Sequence, residues 1–260
     1  MSAAHEIDLD TVAEIVDTAA KTATAIPQLS ETGNEMNLEQ AYEVQRRSLQ
    51  LRIDRGEKQV GVKMGFTSRA KMIQMGLDEM IWGRVTDKMF VADGGEIDLR
   101  NFVHPRVEPE IAFLLNKPIE GYVSPAQAML SVEAIAPALE VIDSRYENFK
   151  FNLEDVVADN SSTSALIVGP WVKPDLDITN LGMIMSFDGR PVQIGSTAAI
   201  LGNPARALVG AAQLAADEGS RLEAGWTVLA GAATAAQAIV PGIHVRLEAQ
   251  NMGSVSFSVK

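Results

Sequence analysis

The sequence contains no cysteine, and this absence removes several kinds of chemistry at once. Disulfide bonds, thiolate nucleophiles and cysteine-ligated zinc or iron–sulfur sites are all excluded. Any catalytic or metal-binding group must therefore come from carboxylates, lysine, histidine, arginine or hydroxyl groups.

Basic clusters and long apolar runs are missing as well. The 34 acidic residues outnumber the 22 basic ones, and a net charge of -12 would repel a phosphate backbone, so we expect no nucleic-acid partner. No run of eighteen apolar residues occurs, so we expect no membrane association. The N-terminus lacks a basic segment followed by an apolar core, and we therefore expect a cytoplasmic protein.

What the sequence does contain is an ordinary globular composition, 47% apolar over 260 residues, which is enough for a sizeable core. Helical spacing predicts a first helix capped by Asp10, a second opening at an Asn37–Gln40 capping box, and shorter ones after Ser124 and Asn203. Short apolar runs then predict strands, and Asp188-Gly189 predicts a hairpin. The runs are 107–115, 134–142, 164–169, 182–187, 226–231, 243–248 and 253–259. We therefore predict a helical N-terminal portion, 1–87, with one strand, and a β-rich catalytic core, 88–260.

The strand predicted in the N-terminal portion carries Lys63. From Val60 to Thr67 the sequence alternates, which places Lys63 on the polar face between Gly61 and Gly65. Flanking glycines leave open space in which a ligand could approach the ammonium group. The alternative is a solvated lysine with no function.

Two glutamates lie at the start of the strand predicted from Val107. Glu108 and Glu110 point to the same side, which continues as apolar Ala112 and Leu114. This arrangement predicts two adjacent carboxylates at the mouth of a buried strand. The alternative is that the strand begins in solvent and turns inward later.

Glu140 is a single ionisable residue inside another apolar run, between Leu139 and Val141. A buried carboxylate is costly unless it has a partner. If its strand lies near the one that carries Glu108 and Glu110, three carboxylates converge and a divalent cation relieves their repulsion. Ligation by oxygen alone favours magnesium or manganese over zinc.

Several other polar residues are weaker candidates. Arg145 follows Glu140 closely, Asn160 and Ser161 precede a predicted strand, and Asp78 lies in a Met-Gly-Leu-Asp segment. Caps and turns explain such residues equally well.

Five segments, in the same order along the chain, resemble the fumarylacetoacetate hydrolase superfamily in its hydratase/decarboxylase branch. They are Gly61–Thr67, Arg106–Phe113, Ala138–Arg145, Val157–Ser162 and Gly253–Phe257. The resemblance implies an α+β fold with a mixed β-roll or β-sandwich core and a helical N-terminal portion. It also implies that Glu108, Glu110 and Glu140 bind Mg²⁺ or Mn²⁺.

The resemblance implies an activity too, the metal-dependent decarboxylation of 4-oxalocrotonate (2-oxo-3-hexenedioate) in the meta-cleavage pathway of aromatic catabolism. Lys63 and Asp78 would be catalytic, and Arg145, Asn160 and Ser161 would bind the substrate. Hydration of 2-hydroxypenta-2,4-dienoate is the alternative, because both reactions use the same metal site. A non-catalytic partner subunit is a more distant one.

The same resemblance implies partners. A small-molecule 2-oxo acid would be the substrate, the chain would form a homo-oligomer, and it could associate with the hydratase of the pathway.

Overall fold

The computed structural model describes residues 7–68 and 80–260, which build two β-sheets with helices packed against them. The α-helices are α1 (Leu9–Thr22), α2 (Leu38–Asp54), α3 (Pro125–Met129), α4 (Leu153–Ala158) and α5 (Ala205–Asp217). The strands are β1 (Gln59–Gly65), β2 (Ile81–Thr86), β3 (Phe90–Val91), β4 (Gly95–Ile97), β5 (Pro105–Leu115), β6 (Val132–Asp143), β7 (Thr163–Val168), β8 (Gly182–Phe187), β9 (Arg190–Ser196), β10 (Thr227–Leu229), β11 (Gln237–Ala238), β12 (His244–Ala249) and β13 (Gly253–Val259). None of the helices in these two stretches has the length and apolar character that crossing a membrane requires.

The helix starts follow the local capping chemistry. Asn37 and Gln40 form the predicted capping box of α2, in which each side chain accepts a hydrogen bond from the backbone N–H of the other residue. The prediction that Asp10 caps α1 is wrong, because Asp8 accepts the hydrogen bonds from the first turn. Asp10 lies in that turn instead, where its charge favours the positive end of the helix dipole.

The larger sheet contains strands from both ends of the sequence. Its order is β2-β1-β10-β5-β6-β7-β3, with β11 also paired to β5. The β1–β10 and β3–β7 pairs are parallel and the others antiparallel, so the sheet is mixed and the predicted α+β class is confirmed. Both β1 and β2 belong to this sheet, so strands from 1–87 and 88–260 pair directly. The division at residue 87 stays a prediction.

The main core lies between the larger sheet and the smaller one, whose order is β4-β13-β12-β8-β9. Ile111 and Leu139 of the larger sheet and Leu247 and Phe257 of the smaller one are fully buried in this layer. Each such side chain contributes about 1.5–3 kcal/mol of hydrophobic stabilisation. One face of the larger sheet is therefore buried against the smaller sheet.

The opposite face of the larger sheet is lined by smaller side chains. Ala112, Ala136 and Ala138 form a buried cluster there with Leu166 and Leu229. Because the alanine side chains are small, they leave space above the strands for larger functional side chains. The glutamates and Lys63 lie on this face.

Candidate metal centre and its cleft

The pairing of β5 with β6 brings the three glutamates together. Glu108 is the direct cross-strand partner of Glu140, and Glu110 follows two residues later on the same face. One carboxylate oxygen from each residue can be chosen so that all three lie within 4.8 Å of one another. The sequence left open whether these two strands were neighbours, and the observed register shows that they pair directly.

Burial makes this carboxylate cluster costly without a cation. Glu110 and Glu140 are fully buried. Oε2 of Glu110 accepts a hydrogen bond of 2.7 Å from the backbone N–H of Gly231, whereas Oε1 of Glu110 accepts none from the described residues. Glu140 accepts no well-aligned hydrogen bond from them either, and the Lys63 ammonium forms an ion pair with its Oε1 at 3.3 Å. Buried carboxylate oxygens without donors are the ligands that a hard divalent cation requires. The donor set therefore fits Mg²⁺ or Mn²⁺.

The electrostatics of the cluster support the same conclusion. Burial, and then the charges of Glu140 and Glu108, raise the pKa of Glu110 well above its usual 4.5. Burial also raises the pKa of Glu140, against the opposing effect of Lys63. The two glutamates thus bind protons more tightly than free carboxylates do, unless another positive charge takes the place of the protons.

Lys63 supplies one positive charge on the same face. Its Nζ lies 3.3 Å from Oε1 of Glu140, and the residue is 4% exposed. Through β10 it is aligned with Ala112 of β5, two residues beyond Glu110. The lysine is therefore an ion-paired buried group rather than a solvated one.

The space around Lys63 differs from the prediction. Backbone and side-chain atoms already fill the space beside the flanking glycines, since a Cβ on Gly61 would lie 2.1 Å from the carbonyl oxygen of Thr227 and one on Gly65 would lie 2.8 Å from Ile81. The expectation of open space there is wrong. Gly83, the cross-strand partner of Lys63 on β2, makes the room, because a Cβ on it would come within 3.2 Å of Lys63 Cε.

A strained loop borders the lysine. Asn160, Ser161 and Ser162 all adopt positive φ angles of 50°, 51° and 60°, which non-glycine residues rarely do. Hydrogen bonds to β2 hold the loop in place: Ser161 Oγ donates to the carbonyl of Trp82, and the Asn160 amide bonds both the N–H and the carbonyl of Arg84. Ser161 lines the cleft described below, whereas the side-chain amide of Asn160 is engaged by the backbone of β2.

Arg145 lies elsewhere. Its Nε donates to Asp159 at 2.6 Å, and its other nitrogens donate to the Asp159 carbonyl and to Ser164 Oγ. Burial raises the pKa of Asp159 to about 6, although Arg145 opposes the shift. Neither Arg145 nor Asp159 lines the cleft that contains Lys63, and both line other cavities of the protein. Asp78 falls outside the described residues.

Glu108 opens onto a cleft of about 380 Å³, with Glu110 and Glu140 buried next to it. The charged residues among its described lining are Lys63, Arg106 and Glu108, and the hydroxyl residues are Thr67, Ser68, Ser161 and Ser162. Its apolar lining comprises Phe66, Ile81, Ile142, Phe149, Phe151, Val156, Ala232, Ala235 and Ala236, among others. Such a cleft suits a small acid with a short apolar chain. Sequence reasoning missed Arg106, although its position two residues before Glu108 predicts the same face.

The known proteins similar to this chain include decarboxylases and hydratases. A 4-oxalocrotonate decarboxylase from Pseudomonas sp is 59% identical over 248 residues, which cover 95% of this chain and 96% of that protein. A 2-keto-4-pentenoate hydratase from Paraburkholderia xenovorans (strain LB400) is 35% identical over 240 residues, covering 91% and 89%. The hydratase is thus the more distant of the two.

The fold comparison agrees. The structure of 4-oxalocrotonate decarboxylase from Pseudomonas putida G7, complexed with magnesium and adipate, matches with a TM-score of 0.94 at 36% identity and covers 97% of both chains. The family described as Fumarylacetoacetate (FAA) hydrolase C-terminal matches residues 60–260. The resemblance seen in the five sequence segments is confirmed, and the chain belongs to the fumarylacetoacetate hydrolase family.

Proposed function

We propose that the protein decarboxylates 4-oxalocrotonate to 2-hydroxypenta-2,4-dienoate and CO2, with Mg²⁺ as its cofactor and Mn²⁺ as a substitute. The observation that carries this proposal is the convergence of Glu108, Glu110 and Glu140 in a small apolar cleft beside Lys63. Of the two named relatives, the decarboxylase is far more similar than the hydratase, at 59% against 35% identity. The magnesium in the similar Pseudomonas putida G7 structure supports the choice of metal.

Glu108, Glu110 and Glu140 would hold the metal. Gly231 fixes one oxygen of Glu110 through its N–H, so that the other oxygen faces the cluster. When bound, the metal supplies positive charge next to the C1 carboxylate and C2 oxygen, where negative charge accumulates as CO2 leaves.

The electron flow explains why charge accumulates there. The C5–C6 bond breaks, its electron pair forms the C4–C5 double bond, the C3–C4 double bond shifts to C2–C3, and the C2 carbonyl becomes an enolate oxygen. The C6 carboxylate departs as neutral CO2, and a proton then neutralises the dienolate. Lys63 lies within reach of the same cluster, and we assign it to orienting the 2-oxo acid end or moving that proton.

The contacts of the remaining predicted site residues suggest different roles for them. Ser161 lines the cleft and stays a proposed substrate-binding residue. We propose that Asn160 and Arg145 position the Ser161 loop, because their polar groups bind Arg84 and Asp159 respectively. Asp78 stays a proposed acid/base residue.

The apolar walls of the cleft favour decarboxylation over hydration. Phe66, Phe149 and Phe151 restrict water near the reacting chain, and a hydratase must instead admit a water molecule. Hydration of 2-hydroxypenta-2,4-dienoate remains the second candidate, because relatives that share the fold carry that name. We further propose a cytoplasmic location, which rests on the N-terminal sequence, and a homo-oligomer able to associate with the pathway hydratase, which rests on the family resemblance.

The deciding experiment incubates purified protein and Mg²⁺ with 4-oxalocrotonate and, separately, with 2-hydroxypenta-2,4-dienoate. We expect CO2 from the first substrate and little consumption of the second. Hydration of the second without CO2 from the first would replace the proposal with the hydratase. Glu133, exposed on the same strand as Glu140, provides the control variant Glu133→Gln, which should keep full activity.

A further inference from the structure

Arg106 differs from the more deeply buried arginines in its partner. Arg84 pairs with Glu218 and Arg145 pairs with Asp159. The guanidinium of Arg106 instead stacks on Phe149, with Cζ 4.2 Å from the ring centroid, and no carboxylate among the described residues forms an ion pair with it. It is half-buried and lines the cleft. A half-buried guanidinium without a carboxylate partner among the described residues can bind an anionic group of a ligand.

The sheet fixes where this cation lies relative to the carboxylates. Arg106 pairs with Ile142 on one side and Ala238 on the other, so its backbone is held by two neighbouring strands. It shares a face with Glu108 and precedes it by two residues, about 7 Å along the strand. Lys63 lies towards the opposite end of the carboxylate row, since it is aligned with Ala112.

Lys63 and Arg106, the two cations among the described lining residues of the cleft, therefore differ in their availability to a ligand. Lys63 is already paired with Glu140. Arg106 is held over the ring of Phe149, and a guanidinium in such a cation–π contact can still form two parallel hydrogen bonds to a carboxylate. Apolar Ile142, the cross-strand partner of Arg106, lines the cleft beside it.

We propose that Arg106 binds the distal C6 carboxylate of the substrate and thereby selects dicarboxylate 2-oxo acids over monocarboxylate ones. The inference rests on the proposed function, in which the C1 carboxylate and C2 oxygen occupy the metal end. A displacement of about 7 Å along the strand is comparable to the length of a six-carbon chain, so the second carboxylate reaches the guanidinium.

A kinetic consequence follows from the chemistry of the leaving group. The C6 carboxylate is charged in the bound substrate and neutral once it has become CO2. An ion pair to it is therefore stronger in the ground state than in the transition state, and its loss raises KM without lowering kcat.

The test compares two unreactive 2-oxo acids, 2-oxohexanedioate and 2-oxopentanoate, as inhibitors of the magnesium-loaded enzyme. Both carry the same 2-oxo acid end, both lack the C3–C4 double bond that the reaction requires, and they differ in the distal carboxylate. In Arg106→Met, the inhibition constant of 2-oxohexanedioate should rise by roughly tenfold to a hundredfold. That of 2-oxopentanoate should stay within about twofold. Arg106→Lys should weaken the binding of 2-oxohexanedioate by an intermediate factor, because lysine keeps the positive charge but cannot form two parallel hydrogen bonds to a carboxylate.

Equal losses for both inhibitors, or no loss for either, would overturn the inference. The exposed Arg246 on the smaller sheet gives the control Arg246→Met, which should leave both constants unchanged. Calorimetric titration of the same two acids separates binding from turnover. Failure of the wild-type enzyme to release CO2 from 4-oxalocrotonate would refute the proposed function, whereas a working enzyme whose Arg106→Met variant still prefers the dicarboxylate would refute this inference alone.

Discussion

Glu108 and Glu140 are directly opposed residues of two antiparallel strands, with their carboxylates on the same face of the sheet. Like charges at such positions destabilise a pair of strands. Glu110 adds a third carboxylate on that face. The sheet therefore contains a local electrostatic repulsion that a divalent cation relieves, and the first two predictions below follow from it.

Replacing Glu140 by glutamine should abolish the stabilisation of the protein by Mg²⁺. In the wild type, a concentration of Mg²⁺ one hundred times its Kd should add about 2.7 kcal/mol to the free energy of unfolding. The Glu140→Gln variant should unfold at the same temperature with Mg²⁺ as with EDTA, because it loses one of three ligands. Thermal unfolding measures both proteins, with Glu133→Gln as the matched control on the same strand. An undiminished response to Mg²⁺ in Glu140→Gln would rule out Glu140 as a ligand.

The metal-free protein should become less stable as pH rises from about 4.5. The folded state holds a proton on Glu110 at pH values where the unfolded chain has lost it, because burial and the neighbouring glutamates raise the pKa of Glu110 in the folded protein. Stability is then fully present below the unfolded pKa and is lost as pH rises towards the folded one, by at most about 1.4 kcal/mol per pH unit for one proton.

The measurement for that prediction is the free energy of unfolding in EDTA across this pH range. The Glu110→Gln variant should show a shallower fall than the wild type, because it has no carboxyl to ionise at that position. Mg²⁺ should flatten the wild-type curve as well. If the free energy of unfolding in EDTA fell equally with pH in the wild type and in Glu110→Gln, ionisation of Glu110 could not be the cause of the fall.

Removal of one member of the Arg145–Asp159 pair should destabilise the protein. Both side chains are buried and Nε lies 2.6 Å from Oδ1, so Asp159→Asn leaves an uncompensated guanidinium at a cost of about 3–5 kcal/mol. The double variant Arg145→Met/Asp159→Asn should recover a large part of this loss, since no unpaired charge remains. Chemical denaturation of the wild type, Asp159→Asn, Arg145→Met and the double variant gives the coupling energy, and additive effects would show that the pair is not coupled.

Gly83→Ala should impair both folding and activity. The added Cβ would lie 2.1 Å from Thr163 Oγ1 and 2.5 Å from the carbonyl oxygen of Asn160, so β2 or the strained loop must shift at a cost of about 1–3 kcal/mol. Because the same Cβ contacts Lys63, kcat should fall in addition to stability. Gly182→Ala is the control, since its Cβ would meet only Gln250, at 3.7 Å, and a wild-type kcat in Gly83→Ala would exclude any role for this contact in placing Lys63.

The three glutamates could be predicted because short stretches of sequence around each of them are sufficient to identify it. Alternation places Glu108 and Glu110 on one face, and a single charge within an apolar run marks Glu140. Their meeting depends on the β5–β6 register, which no short segment contains. The family resemblance, rather than spacing, supplied that link before the structure did.

The parts that the sequence did not predict depend on distant pairing or on short elements. Gly83 and Gly231 matter through contacts with Lys63, Thr67 and Glu110, which come from other strands and loops. Strand β2 was not predicted, because all six of its residues are buried and it shows no alternation. Helix α4 is too short for a 3.6-residue period to be visible, although Asn152 and Asp155 form a capping box at its start.

The opposition of Glu108 and Glu140 also constrains how the gene can change in length. Loss or gain of one codon within β6, between Val132 and Glu140, would turn the glutamate to the other face, towards Leu247 and Phe257 of the smaller sheet. Within the connection 116–131 between the two strands, the largely exposed stretch 120–124 before helix α3 lies outside the pairing that sets the register, so length changes there leave the three carboxylates together. We therefore expect insertions and deletions among homologous genes to accumulate in this connection and to be absent from the two strands.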